Sequence, residues 1–164
     1  MDARRLSFTA LFIAVGVLSA HLIYIPVGIA KCFPVQHAIN VLLAVLLGTR
    51  YAVSAAFGIS LLRVIFGTGS LLAFPGSLFG AALAGILYKR TRHIGGAVAG
   101  EIVGTGVIGA LAAYPVAAYI IGSKAAGTLF FVVPFMVSTA GGSLLACILY
   151  YTPITAYFRE RLGA

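Results

Sequence analysis

Four side chains able to hold a small molecule stand at comparable depth in an otherwise apolar sequence: His21, His37, Asn40 and Arg63. His37 and Asn40 are three residues apart and share one helical face, where an imidazole and an amide offer both donors and acceptors. Gln36 precedes His37 in the same polar run, GIAKCFPVQHAIN (28–40). Counting outward from Arg50 at about 1.5 Å per residue places Asn40 about 15 Å and His37 about 20 Å up one helix, with Arg63 about 20 Å up the next. Counted from Leu6, His21 lies about 22 Å up the first helix. Polar groups at such depth are costly in hydrocarbon, so they are expected to turn inward, toward a cavity or toward each other. The chemistry on offer is non-covalent recognition: a guanidinium, two imidazoles and amides converging on a ligand.

Each of these residues also has a plainer reading. Arg63 is close enough to a helix end to snorkel to the outer headgroups, and His21 can hydrogen-bond a neighbouring carbonyl. Glu101, the acidic residue that falls within a span, lies about 12 Å up from His93 and roughly 8 Å below Arg63, so a direct pair would need the arginine to reach downward. A proton-coupling role, a structural hydrogen bond and protonation in an apolar site all fit it. Tyr114 and Tyr119 suit stacking on a flat ligand or an interfacial aromatic belt. The connection FGTGSLLAFPGS (66–77), which contributes Ser70, can close over a cavity or simply turn the chain.

Catalytic patterns are missing. The sequence contains no Walker-type phosphate loop, no paired carboxylates and no Cys/His spacing for a metal, so no catalytic residue, metal or cofactor is expected. Gly67-Thr68-Gly69-Ser70 lacks the lysine and the following helix that a phosphate loop needs. ATP hydrolysis, if transport depends on it, must come from a partner.

The elements that must position these groups follow from composition. The 164 residues are 62% hydrophobic and 9% charged, with three acidic side chains and 20 glycines. Soluble domains carry roughly 25% charged residues, so the chain reads as an all-α integral membrane protein, a single domain. Continuous apolar runs argue against a transmembrane barrel, whose strands alternate. Six spans are expected near 6–25, 35–49, 51–67, 75–92, 95–121 and 128–158. The first, preceded by Arg4 and Arg5, is too long for a signal h-region and is expected to be retained.

The net charge of +8 has no basic domain to occupy, which sets nucleic acid aside. With a cytoplasmic N-terminus, the inner segments carry Arg4, Arg5, Arg50, Lys89, Arg90, Arg92, Arg159 and Arg161, and the outer ones only Lys31 and Lys124. That bias places both termini in the cytoplasm and residues 28–34 outside. Cys32 and Cys147 then fall near opposite faces and are not expected to pair. Small residues spaced by four, Gly76, Gly80 and Ala84 in the fourth helix and Gly96, Gly100 and Gly104 in the fifth, suit close packing of those two helices. Ala10 and Ala14 in the first helix suit packing within the chain or against another one. Pro34 and Pro75 are placed to open helices.

PVGIAKCFPVQHAINVLLAVLLGTRYAVSAAFGISLLR (26–63) and GTGSLLAFPGSLFGAALAG (67–85) resemble the ThiW family, the thiazole-specific S components of energy-coupling factor transporters. The resemblance covers nearly the whole chain, is most specific over residues 26–88 and is weaker in the fifth and sixth helices. It implies a prokaryotic plasma-membrane subunit that captures hydroxyethylthiazole, a thiamine precursor, or its phosphate, and works with a transmembrane T protein and two ATPases. Ala10 and Ala14 would form the docking surface for the T protein, and residues 26–34 and 67–74 would enclose the ligand. His37, Asn40, Arg63, His21, Gln36, Ser70 and Tyr114 are the substrate-binding candidates. Competing readings are an S component for another thiamine-related or small vitamin ligand, a proton-coupled secondary transporter using Glu101, and a structural membrane subunit.

Overall fold

A computed structural model describes residues 3–27, 30–122, 127 and 129–162; Lys124, expected in an outer connection, lies outside the described residues. Helix α1 (Ala3–Leu22) leads into a small antiparallel hairpin, β1 (Ile25–Val27) and β2 (Ala30–Cys32), in which Ile25 pairs with Cys32 and Val27 with Ala30. The sequence reading treated this segment as an outer lip and did not foresee strands. Helix α2 (Pro34–Leu46) starts with proline at its first turn, where a missing N–H costs nothing, and ends at Leu47. Gly48, at φ +90°, makes the sharp turn into α3 (Thr49–Ile65).

Helix α4 (Ala73–Thr91) ends at Arg92, whose φ of 55° is left-handed, and His93 caps the next helix by accepting from Gly95 N at 3.0 Å. Helix α5 (Ile94–Ile120) contains two wide π-helical stretches, Gly104–Gly109 and Val116–Ile120. The second begins directly after Pro115, which has no N–H to give and crowds the carbonyl four residues back. The first coincides with the glycines that meet α4.

The expected sixth span, 128–158, is corrected by the structure: it is two helices, α6 (Val132–Tyr150) and α7 (Pro153–Leu162). Pro153 removes the N–H that would have bonded Leu149 O. That carbonyl accepts instead from Thr152 Oγ1 at 2.6 Å and Thr155 Oγ1 at 2.7 Å. After the break α7 turns onto α1, where Phe158 meets Phe8 edge-to-face and Phe12 at a tilt, with ring centres 5.2 and 5.8 Å apart.

By length and composition α1, α5 and α6 can each cross a membrane. Their outward residues are large and apolar, among them Leu18, Val107, Leu144 and Ile148, as lipid-facing surfaces require. Helix α2 sits in the middle, with all of its residues but Val35 buried and contacts to every other helix.

The tightest pairing joins α4 and α5. A Cβ on Gly104 would lie 2.5 Å from Phe79 O, and one on Gly109 2.6 Å from Gly76 Cα, so the two backbones touch along this seam. Gly104→Leu is therefore expected to lower unfolding stability in detergent by about 1–3 kcal/mol. Val103→Leu, at a side chain 46% exposed, should leave the thermal midpoint unchanged in the same assay.

Candidate functional site

The helices enclose a cavity of about 520 Å³ at the end of the bundle where the hairpin lies. Its walls come from every helix but α7: Ala20 and His21 of α1; Tyr24, Lys31 and Cys32 at the hairpin; Phe33; Gln36 and His37 of α2; Arg63 of α3; Gly67–Ser70 and Leu72 of the connection; Gly76 and Ser77 of α4; Thr105 of α5; and Phe131, Pro134, Phe135 and Ser138 at α6. The volume suits a small ligand, and the combination of aromatic walls with a few polar groups is that of a binding pocket.

The hairpin is fastened over this space by polar contacts to α6. Cys32 Sγ donates to Pro134 O at 3.1 Å and Phe33 N to Ser138 Oγ at 2.8 Å. Cys32 and Cys147 are both free thiols. Lys31 reaches over the Tyr24 ring at 4.8 Å, at the exposed rim.

Arg63 joins three of the enclosing pieces. Its side chain is almost wholly buried, with Nη1 donating to Gln36 Oε1 of α2 and Nη2 to Thr68 O of the connection at 3.2 Å. Its guanidinium carbon lies 3.6 Å from the Phe33 ring centre, a cation–π contact with the end of the hairpin segment. Snorkelling is thus replaced by inward pairing. The connection returns the support, since Thr68 N and Gly69 N both donate to Arg63 O, at 2.9 and 3.0 Å.

From Gln36 the hydrogen bonds continue downward. Gln36 Nε2 donates to Ser60 Oγ at 3.1 Å and Ser77 Oγ at 2.9 Å. Asn40 Nδ2 reaches Ser77 O at 3.3 Å and Glu101 Oε1 at 3.2 Å. His37 Nδ1 lies 2.7 Å from Glu101 Oε1, and Thr105 Oγ1 lies 2.9 Å from the same oxygen. The carboxylate is fully buried, and the room for it exists because α4 has a glycine opposite: a Cβ on Gly80 would sit 2.7 Å from both of its oxygens. Arg63 and Glu101 make no direct pair. Gln36, Ser77 and Asn40 bridge them.

Of the candidate residues, Arg63, Gln36, His37, His21 and Ser70 line one cavity. His21 also approaches Val17 O through Nδ1 at 3.1 Å. Asn40 does not line the cavity; it is fully buried beneath the floor, where its amide supports Glu101. Tyr114 is not among the lining residues either. Ala10 and Ala14 lie on an outward face of α1. Among the described residues no group of three His, Cys, Asp or Glu side chains gathers to hold a metal.

The structure adds Ser60, Ser77 and Thr105 in the polar chain and Phe33, Phe131 and Phe135 in the walls, which the sequence reading does not single out as site residues, and makes Glu101, weighed there but not among the binding candidates, the acidic end of that chain. A lone carboxylate inside a span was the available signal for Glu101. The serines and threonine carry no comparable signal, because hydroxyls are common in membrane helices.

A family model described as "Thiamine-precursor transporter protein (ThiW)" matches residues 6–153. No curated protein and no solved structure gives a significant match.

The Arg63–Gln36 contact can be tested by a double-mutant cycle. Gln36→Leu, which leaves a buried guanidinium N–H without its acceptor, should cost about 1–3 kcal/mol of unfolding stability. Adding Arg63→Met should cost less than the sum of the two single changes, by more than about 0.5 kcal/mol; strict additivity would mean the contact carries no energy.

Proposed function

The chain belongs to the ThiW family of thiamine-precursor transporters, and from that premise we propose that it is the substrate-binding S component of an energy-coupling factor importer. In this reading it captures hydroxyethylthiazole, or its phosphate, outside a prokaryotic cell. The observation that carries the reading is the single cavity that gathers Arg63, Gln36, His37, His21 and Ser70 beneath the hairpin. Phe33, Phe131 and Phe135 offer apolar walls to a thiazole ring, and its ring nitrogen and side-chain oxygen can be met by the polar floor.

Six membrane-crossing helices, α1 to α6, with both termini in the cytoplasm, complete this proposal, and α7 lies along the inner surface. The cavity then opens at the outer face, where Lys31 is, and Arg5, Arg50 and Lys89 lie at the opposite end. Residues 30–34 and 67–74 serve as the lids. The T protein docks on α1 through Ala10 and Ala14, whose exposed small side chains let another helix approach closely, and two ATPases drive the cycle.

A second reading has one observation in its favour. The buried Glu101–His37 pair, at 2.7 Å, is an arrangement that can exchange a proton, as a proton-coupled secondary transporter would need. Uptake by this chain alone in liposomes under a pH gradient would select it over the S component.

Calorimetric titration of the detergent-purified protein with hydroxyethylthiazole, its phosphate, thiamine and hydroxymethylpyrimidine is expected to show submicromolar binding of a thiazole and not of the pyrimidine. His37→Ala should weaken that binding roughly tenfold or more, and Asn40→Ala should weaken it through the loss of its support to Glu101. Wild-type affinity in both variants would move the site elsewhere. For docking, Ala10→Leu or Ala14→Leu should abolish uptake in cells expressing the energy module while ligand binding stays intact. Undiminished copurification with the T protein would reject that surface.

A further inference from the structure

The charge balance beneath the cavity determines what His37 can offer a ligand. The floor holds one permanent cation, Arg63 of α3, and one carboxylate, Glu101 of α5, joined by Gln36, Ser77 and Asn40. The two are groups of opposite formal charge in one buried cluster, and His37 is hydrogen-bonded to the acidic one. No other titratable side chain faces His37 from α4 or α6, whose contributions there are Gly76, Ser77, Ser138 and Gly142. Across the cavity stand His21, Tyr24, Lys31 and Cys32, of which His21, Tyr24 and Lys31 are exposed and Cys32 Sγ is bonded to Pro134 O.

Glu101 Oε1 accepts from Asn40 Nδ2 at 3.2 Å and lies 2.7 Å from His37 Nδ1, which places it to accept from the imidazole, while Thr105 Oγ1 shares its one proton between this oxygen and Gly76 O, both at 2.9 Å. A neutral His37 then carries its proton on Nδ1, given to Glu101. Its other nitrogen, Nε2, has no protein partner among the described residues, and the ring lines the cavity. A lone pair is left for the ligand. Arg63 spends one N–H of Nη1 on Gln36 Oε1 and one of Nη2 on Thr68 O, and its Nε is buried without a partner, so its hydrogen bonds brace the cavity wall while the remaining N–H groups can only donate.

We propose that His37 Nε2 accepts a hydrogen bond from the ligand, with Glu101 as the positioning residue that holds the imidazole in the accepting tautomer. The site is thereby selective for a small heteroaromatic alcohol over its phosphate ester. The inference rests on the thiazole-binding reading above and decides between its two ligands. An alcohol O–H satisfies Nε2. A phosphate ester brings acceptor oxygens and nearly two negative charges up to the Nε2 lone pair, which has no proton to give them.

The test compares hydroxyethylthiazole, its phosphate and its 2-fluoroethyl analogue, which keeps the size of the side chain and has no hydrogen to donate, by calorimetric titration of the wild-type protein. Expected is binding of the alcohol roughly tenfold or more tighter than either of the others. Equal affinity for the alcohol and the fluoro compound, or tighter binding of the phosphate, overturns this proposal and leaves the transporter reading in place. No binding of any of the three overturns both. Glu101→Ala should bring the alcohol and fluoro affinities to within about threefold of each other, whereas Glu101→Gln, whose amide oxygen still accepts from Nδ1, should keep the discrimination. Full discrimination in Glu101→Ala removes Glu101 from the role. If that variant does not fold, the wild-type comparison still decides whether His37 accepts.

Discussion

A guanidinium and a carboxylate buried in the same bundle without touching each other form the constraint on which the rest of the structure depends. Each would be prohibitively costly in hydrocarbon alone. Gln36, Ser77 and Asn40 turn them into the two ends of one hydrogen-bonded chain that crosses from α3 through α2 and α4 to α5. Four helices are therefore committed to a fixed relation by polar contacts. Leucine-like packing cannot supply that specificity in lipid, where apolar surface gains nothing by leaving its surroundings.

The glycine seam between α4 and α5 serves the same end. Gly80 leaves room for the Glu101 carboxylate, and Gly104 and Gly109 let α5 lie against the α4 backbone, so that Thr105 can reach Gly76 O at 2.9 Å as well as Glu101. The wide turn at Gly104–Gly109 falls where this contact is closest. Such turns often mark functional stretches of helices, and here the stretch carries Thr105 of the cavity wall. Backbone proximity and polar recognition are built by the same few residues.

Much of this was legible in the sequence. The depth count set Arg63 and His37 level, and the cost of polar groups in lipid turned them inward, where the structure places them around one cavity. The glycine spacing identified the α4–α5 contact. What escaped had physical reasons. Counting rise along straight helices sets Glu101 too low to meet Arg63 directly, as found, but gives no view of Gln36 and Asn40 as intermediaries, because bridging depends on side-chain reach across helices. Asn40 shares a face with His37, yet one helical turn deeper it falls below the cavity floor. The hairpin at 25–32 is too short to show alternation. The break between α6 and α7 was hidden within an apolar run, although Thr152-Pro153 carried its signal, a proline that cannot bond the preceding turn and a hydroxyl ready to replace it.

Helix α2 has a consequence for how the protein is made. Its 13 residues span about 20 Å, short of a hydrocarbon core of about 30 Å, and they include Gln36, His37 and Asn40. Such a segment is a poor substrate for insertion by itself, since its polar groups find partners only on α3, α4 and α5. Those helices all follow it in the chain. Burial of α2 is thus tied to synthesis of what comes after it, and the polar centre of the bundle cannot be completed before Glu101 of α5 has been made.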